Sequence, residues 1–297
     1  MIKKIAAALA LAVVAALGAS APAVAAGKVV PTVPPGAGAA HRALSTLTTC
    51  ETLCYYYEGA QDTAVPAGTT GVYLAADIAK PTLNTTTDYH TLWEMDVRNT
   101  GITDTIELGW TVDPSLNAGS TNPYLFVSRW INGVFKGYNT ADPGFHPCGP
   151  SNTSCTTAPT VGAGQSVNAA VGLTKKFGIE YFNSKWWLSY DNQWVGWYAG
   201  SDWSPAFTTV NVTQGFGEVA SKVDYTLGAG HQPCSQMGNG NPGSGTLAAR
   251  QGGLTYIGST AVGFNGTINS PATPYYSNHL YPTSSRSQYY GGDNTSC

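Results

Sequence analysis

From about Cys50 to the C-terminus, short β-branched and aromatic runs recur every ten residues or so, separated by Gly, Asn, Asp, Ser and Thr. That rhythm is the pattern of successive strands joined by turns. No segment keeps a 3.6-residue apolar period over helical length. The one helical turn expected is Ser204-Pro205-Ala206-Phe207, with proline near its start. The 35 glycines and 18 prolines favour turns in the same way. Several runs alternate cleanly. In residues 105–112, Ile106, Leu108, Trp110 and Val112 share one face, and Thr105, Glu107, Gly109 and Thr111 the other. In residues 90–97, Trp93, Met95 and Val97 lie opposite His90, Glu94 and Asp96. Residues 186–190 and 194–198 flank Asp191-Asn192-Gln193, which suggests a hairpin with a three-residue loop. The fold expected is all-β, an antiparallel β-sandwich of two packed sheets in a single domain over residues 47–297.

Only 10% of the residues are charged, against roughly 25% in an average globular protein. With 42% hydrophobic residues the chain can still build a core, which excludes the disordered class. The net charge is −3 and no basic run exceeds Lys175-Lys176, so there is no footprint for a nucleic-acid partner. Residues 1–26 read as a signal peptide: Lys3 and Lys4, then an apolar stretch from Ile5 to Leu17, then Ala23-Val24-Ala25 as a cleavage site. The alternative, a membrane anchor, is disfavoured by the shortness of the apolar stretch. The mature chain is expected to be secreted and to have no membrane contact. Residues 27–46 are rich in Pro, Gly and Ala and read as a flexible leader. In an exported chain the six cysteines read as disulfides. Local pairing suggests Cys50–Cys54 and Cys148–Cys155, which leaves Cys234–Cys297. No spacing suits a metal site, and no metal or other cofactor is expected.

Scarce charge narrows the search for chemistry. There are six glutamates: Glu51, Glu58, Glu94, Glu107, Glu180 and Glu218. Glu107 stands beside Gly109 on a strand face of small residues, where another backbone can approach. Glu218 shares parity with Val212, Phe216 and Ala220, and a carboxyl on a partly apolar face holds its proton more tightly. The plain alternative is an edge-strand glutamate facing water. There is no G-x-S-x-G elbow. The GxGxxG match at Gly238–Gly243 follows no strand, opens no helix and contains Pro242.

Four blocks in order then resemble the neprosin-type glutamic peptidases. They are IELGWTVDPSLN (106–117) with LFVSRWINGVFKGYN (125–139), FGIEYFNSKWWLSYDNQWVGWYAGSDW (177–203), GFGEVAS (215–221), and the Met237-Gly238-Asn239-Gly240 turn. The resemblance runs from about Gly71 to the C-terminus. It implies a secreted β-sandwich endopeptidase that cleaves proteins or peptides at acid pH, often after proline; the chain is expected to need no cofactor and to be a monomer. It places the two catalytic glutamates at Glu107 and Glu218. One would ionise and activate water; the other would keep its proton and polarise the scissile carbonyl. Its apolar parity assigns the proton to Glu218. Gln214, Gln193 and His90 are candidate oxyanion donors. Trp186, Trp187, Trp194, Trp197 and Tyr198 are candidates to line a cleft that takes proline, the plain alternative being that about half of them are core. The loop of Cys148 and Cys155 departs from the family's C-Y-N wording, so fewer matched residues carry the proline preference than the peptidase activity. Three rival readings are a carbohydrate-binding sandwich using Tyr55-Tyr56-Tyr57 and Tyr289-Tyr290, a two-carboxyl glycosidase, and a catalytically silent family member.

Overall fold

A computed structural model describes residues 53–297 apart from 102, 229, 261, 271, 281–285, 295 and 296. The signal-peptide and leader segments and Cys50 lie outside the described residues. Among the described residues fifteen strands follow in chain order. They are β1 (Cys54–Asp62), β2 (Gly71–Asp77), β3 (Asp88–Arg98), β4 (Thr105–Val112), β5 (Tyr124–Ile131), β6 (Val134–Tyr138), β7 (His146–Pro147) and β8 (Thr174–Phe182). Then come β9 (Lys185–Tyr190), β10 (Gln193–Ala199), β11 (Val212–Ser221), β12 (Ala249–Ile257), β13 (Gly266–Ser270), β14 (Tyr276–Leu280) and β15 (Gln288–Gly292).

They form two antiparallel sheets. One has seven strands in the order β13-β1-β11-β3-β4-β5-β6; the other has eight in the order β14-β15-β12-β2-β8-β9-β10-β7. The alternation read from the sequence decides which side of each strand faces the partner sheet. Trp93, Met95 and Val97 of β3 and Ile106, Leu108 and Trp110 of β4 enter the main core. They meet Leu74, Phe177 and Trp186 from the eight-stranded sheet. The rings of Trp93 and Phe177 lie 4.8 Å apart. Each fully buried side chain of this size stabilises the fold by about 1.5–3 kcal/mol, which is where a sandwich without long helices finds its stability.

Polar groups bridge the same interior. Trp93 Nε1 donates to Gln251 Oε1 at 2.6 Å. Gln251 Nε2 donates to the Gly215 carbonyl of β11 at 2.6 Å, and Gln288 Nε2 to the Gly59 carbonyl of β1 at 2.6 Å. Buried amides need such partners. Here they fix the backbones of β1 and β11 from behind.

Two local expectations change. The β9–β10 loop has two residues, not three: Tyr190 pairs with Gln193, and Asp191 and Asn192 both take positive φ, of 50° and 64°. Two left-handed residues make the tight turn that suits strand twist, and Asp and Asn tolerate it. Residues 204–207 are not helical; a short 3₁₀ turn at Gly200–Asp202 precedes them. Phe207 is buried against Trp186 and Trp203, so packing overrides the helical preference of the proline. Disulfides join Cys148 to Cys155 and Cys234 to Cys297. Cys54 is also disulfide-bonded.

Candidate active site

Strand β3 is the middle of the site, because β4 and β11 both pair with it. In β4, sending Ile106, Leu108 and Trp110 inward turns Glu107 outward. In β11 the inward positions next to the glutamate include glycines for a steric reason. A Cβ on Gly217 would stand 2.6 Å from the Tyr290 ring, and one on Gly215 2.6 Å from Leu74 Cδ2. Phe216 and Glu218 therefore take the outward positions. Glu218 sits opposite Leu92 of β3, and Glu107 opposite Asp96. Leu92 and Asp96 have the same parity on one uninterrupted stretch, so both glutamates share the outer face of the seven-stranded sheet. Neither is an edge residue facing water: β4 and β11 are interior strands and both side chains are fully buried.

The two are offset by four residues along β3, and Glu94 occupies the position between. Glu94 sits opposite Phe216 of β11 and Gly109 of β4, which makes it the diagonal neighbour of both glutamates. Diagonal neighbours are about 7–8 Å apart at Cα, so the outer pair is roughly 15 Å apart at Cα with a third carboxyl between them. Glu94 is fully buried, and neither of its carboxyl oxygens has a hydrogen-bond partner. The sequence reading placed it on this face but gave it no role. Its signal was there: His90, Glu94, Asp96 and Arg98 put four ionisable groups on one face of one strand of a charge-poor chain.

Each outer glutamate has its own partners. His90 Nε2 lies 2.7 Å from Glu218 Oε1, and His90 Nδ1 lies 3.8 Å from Asp113 Oδ2. Trp130 Nε1 donates to Glu107 Oε1 at 2.7 Å, and Ser128 Oγ donates to Glu107 Oε2. Both donors come from β5, which lies in the 125–139 stretch of the neprosin-like blocks, but neither residue was given a role there. Beyond Glu107, Arg98 Nε donates to Asp96 at 2.9 Å and its Nη2 to Gln214 Oε1 at 2.7 Å. Gln214 Nε2 then donates to Gln61 at 2.9 Å.

Glu94, Asp96, Glu107 and Glu218 thus share this buried face with two cationic side chains, with Asp113 beside His90. Asp96 has Arg98 and Glu218 has His90; Glu94 and Glu107 have no cation hydrogen-bonded to them. Burial pushes Glu107 up to about 8, with the Asp96 charge adding to it and the Ser128 and Trp130 hydrogen bonds opposing it. Burial, then the charges of Glu107, Glu218 and Asp96, push Glu94 well above the usual carboxylate range. For His90, burial works against the imidazolium, but the Glu218 hydrogen bond and charge and the charges of Asp113 and Asp88 outweigh it and raise its pKa. A protonated His90 donates to a Glu218 carboxylate. Glu107, by contrast, has only the neutral donors Ser128 and Trp130.

The other candidates lie elsewhere or are already engaged. Trp186 and Tyr198 are fully buried in the main core. Trp187 and Trp194 are on the outer face of the eight-stranded sheet, where Trp187 stacks on Phe182 and meets Trp194 and Trp197 at a tilt. None of these aromatics reaches the glutamates, because β9 and β10 belong to the opposite sheet. Gln193 is on β10 and accepts from the Thr160 amide. Gln214 spends its amide on Gln61, and His90 faces Glu218. Tyr56 and Tyr290 are core residues, which removes these two rings from the tyrosine runs as surface contacts. Two small apolar clusters do flank the carboxyls: Tyr57, Phe216 and Ile268 on one side, and Leu92, Phe126 and Tyr138 on the other. Among the described residues, no group of His, Cys, Asp or Glu side chains is arranged to hold a metal.

The family model for neprosin matches residues 87–293, a span that includes β3, β4, β11 and all three glutamates. The chain belongs to the neprosin family. That membership supports a glutamic-type peptidase. No curated protein sequence matches it. Solved structures with some likeness include scytalido-glutamic peptidase with a transition state analog inhibitor, at 7% identity and a TM-score of 0.45. Another is SCP-B, a member of the eqolisin family of peptidases, in complex with the tripeptide Ala-Ile-His, at 8% identity and a TM-score of 0.43. Each alignment covers 82% of this chain and 100% of the other.

Proposed function

We propose that this neprosin-family chain is a secreted, acid-acting glutamic endopeptidase that cuts proteins and peptides on the carboxyl side of proline. The observation that carries the reading is the placing of Glu107 and Glu218 on one buried sheet face with opposite surroundings. Glu218, paired with His90, is the carboxylate. It takes a proton from a water as that water adds to the scissile carbonyl. Glu107, kept neutral by burial, donates a hydrogen bond to the carbonyl oxygen as negative charge develops there. As the C–N bond breaks, Glu107 passes its proton to the departing amine. Full burial means that a peptide enters only after the flanking side chains move aside. Those side chains are apolar and partly aromatic, and a pyrrolidine ring packs well on such walls. Secretion rests on residues 1–26 and on the disulfides.

The test is digestion of a denatured proline-rich protein between pH 3 and 7, with the cut sites mapped by mass spectrometry. The reading expects cuts after proline throughout the acid range, because the raised Glu107 keeps its proton up to about pH 8. Cuts spread over other residues would remove the proline preference, and no cuts at all would remove the peptidase.

A further inference from the structure

Glu94 is the residue on the glutamate face that the two-glutamate mechanism leaves without work. It is fully buried, lies diagonally between Glu107 and Glu218, and has two carboxyl oxygens with no hydrogen-bond partner. Packing alone does not account for it, because a buried polar group without a partner weakens the fold. An apolar side chain there would join Phe216 and Leu92 at no such penalty. The residue types around it are those of a reaction centre. Glu218 faces it from β11 and Glu107 from β4; His90, Asp96 and Arg98 accompany it on β3. Tyr55 and Tyr57 come from β1, and the hydroxyl of Tyr57 is also buried without a partner. Tyr55 is held above the usual phenol range by burial, with the charges of Glu218, Glu107 and Glu94 adding to it.

The two-glutamate cycle also ends with its protons misplaced. Glu218 has gained one from water and Glu107 has given one to the amine. Before the next turnover Glu218 must lose a proton and Glu107 regain one, and the direct route between them runs from the β11 side to the β4 side across about 15 Å of Cα separation. We propose that Glu94 is a third carboxyl of the reaction centre, a proton relay that resets Glu218 and Glu107 after each cleavage. The step balances without any other reactant. Glu218 hands its proton to one oxygen of Glu94 while the other oxygen of Glu94 hands its own proton to Glu107. Glu94 finishes neutral, Glu218 ionised and Glu107 protonated, as they began. A carboxyl can do this because it carries an acceptor and a donor on two separate oxygens; a carboxamide of the same shape cannot.

The inference rests on the peptidase reading, and the experiment separates the two. Steady-state kinetics on a proline-containing peptide are compared for the wild type, Glu94→Gln and Glu94→Ala, the last with added formate or formamide. The relay predicts that Glu94→Gln folds normally and loses about 100-fold in kcat with KM within twofold. It also predicts that formate restores part of the kcat of Glu94→Ala, whereas formamide, the same size but unable to pass a proton on, does not. If Glu94→Gln keeps the wild-type kcat from pH 3 to 7, or if formamide rescues as well as formate, Glu94 only fills space and the relay is wrong. If the wild type itself cleaves nothing, the peptidase reading falls and the relay with it. Should Glu94→Ala not fold, the isosteric Glu94→Gln decides alone.

Discussion

Moving a carboxylate out of water costs far more than moving a carboxylic acid, unless a cation or several donors accompany it. That asymmetry distributes the protons on the outer face of the seven-stranded sheet. Glu218 has His90, Asp96 has Arg98, and Glu107 has two neutral donors, Ser128 and Trp130. Neutral donors moderate the rise in the Glu107 pKa but do not cancel it, and about 8 is the balance. Trp130→Phe removes the donor on Oε1 and keeps most of the ring. The Glu107 pKa then rises further, and the alkaline limb of kcat against pH moves up by about one unit. A limb that stays in place or moves down would mean that Glu107 is not the group holding the proton. At this scale the sequence was half legible. Glu107 and Glu218 stood out because glutamates are few and because the neprosin blocks surround them. Glu94 did not, because alternation alone reads the polar side of β3 as facing water. Only the neighbouring strands show that this side is buried. The charge-state assignment also needed the third dimension, since His90 is 128 residues from Glu218 in the chain.

Register is what turns three strands into a site. Strand β3 sets the spacing, β4 and β11 hang one glutamate on each side of it, and β1 closes the apolar flank. Gly109 is required for this pairing. It sits opposite Glu94, and a Cβ there would stand 2.0 Å from the Trp93 carbonyl oxygen. Gly109→Ala must push β4 away from β3. The expected outcome is a loss of about 1–3 kcal/mol in stability by chemical denaturation, with a larger fractional loss of activity than of folded protein. Activity that tracks the folded fraction would show that the β3–β4 spacing does not matter to the chemistry. Elements were the most legible level. The faces of β3 and β4 follow from parity, and the hairpin β9–β10 follows from two tryptophan-rich runs around Asp191-Asn192. What parity does not give is the partner sheet. Trp187 and Trp194, two of the candidates for the cleft, decorate the far side of the sandwich. Which sheet a strand joins depends on contacts between residues distant in sequence, and no local pattern carries that information.

For the molecule as a whole, the buried ionisable groups act in one direction. Glu58 is pushed up to about 8 by burial, with a hydrogen bond from Asn278 opposing it. Glu107 is raised to the same value; Glu94 and Asp96 are raised, chiefly by burial, and His90 is raised by its acidic neighbours despite burial. Each of these groups binds its proton more tightly in the folded chain than in the unfolded one. From the unfolded carboxylate range near pH 4 up to about pH 8, the folded state therefore holds more protons. Stability falls as pH rises through that window. The melting temperature is expected to be higher at pH 4 than at pH 8, by on the order of 5 °C or more. A flat or rising Tm over that interval would contradict the protonated glutamate face. A chain with only 10% charged residues has few surface ion pairs to lose in acid, so its composition and its buried face point the same way. The most direct measurement is kcat on a proline-containing peptide at pH 4 for Glu107→Gln and Glu218→Gln beside the wild type. The account predicts a loss of about 1000-fold or more in each variant with the fold intact. Activity within tenfold of the wild type in either variant would contradict it.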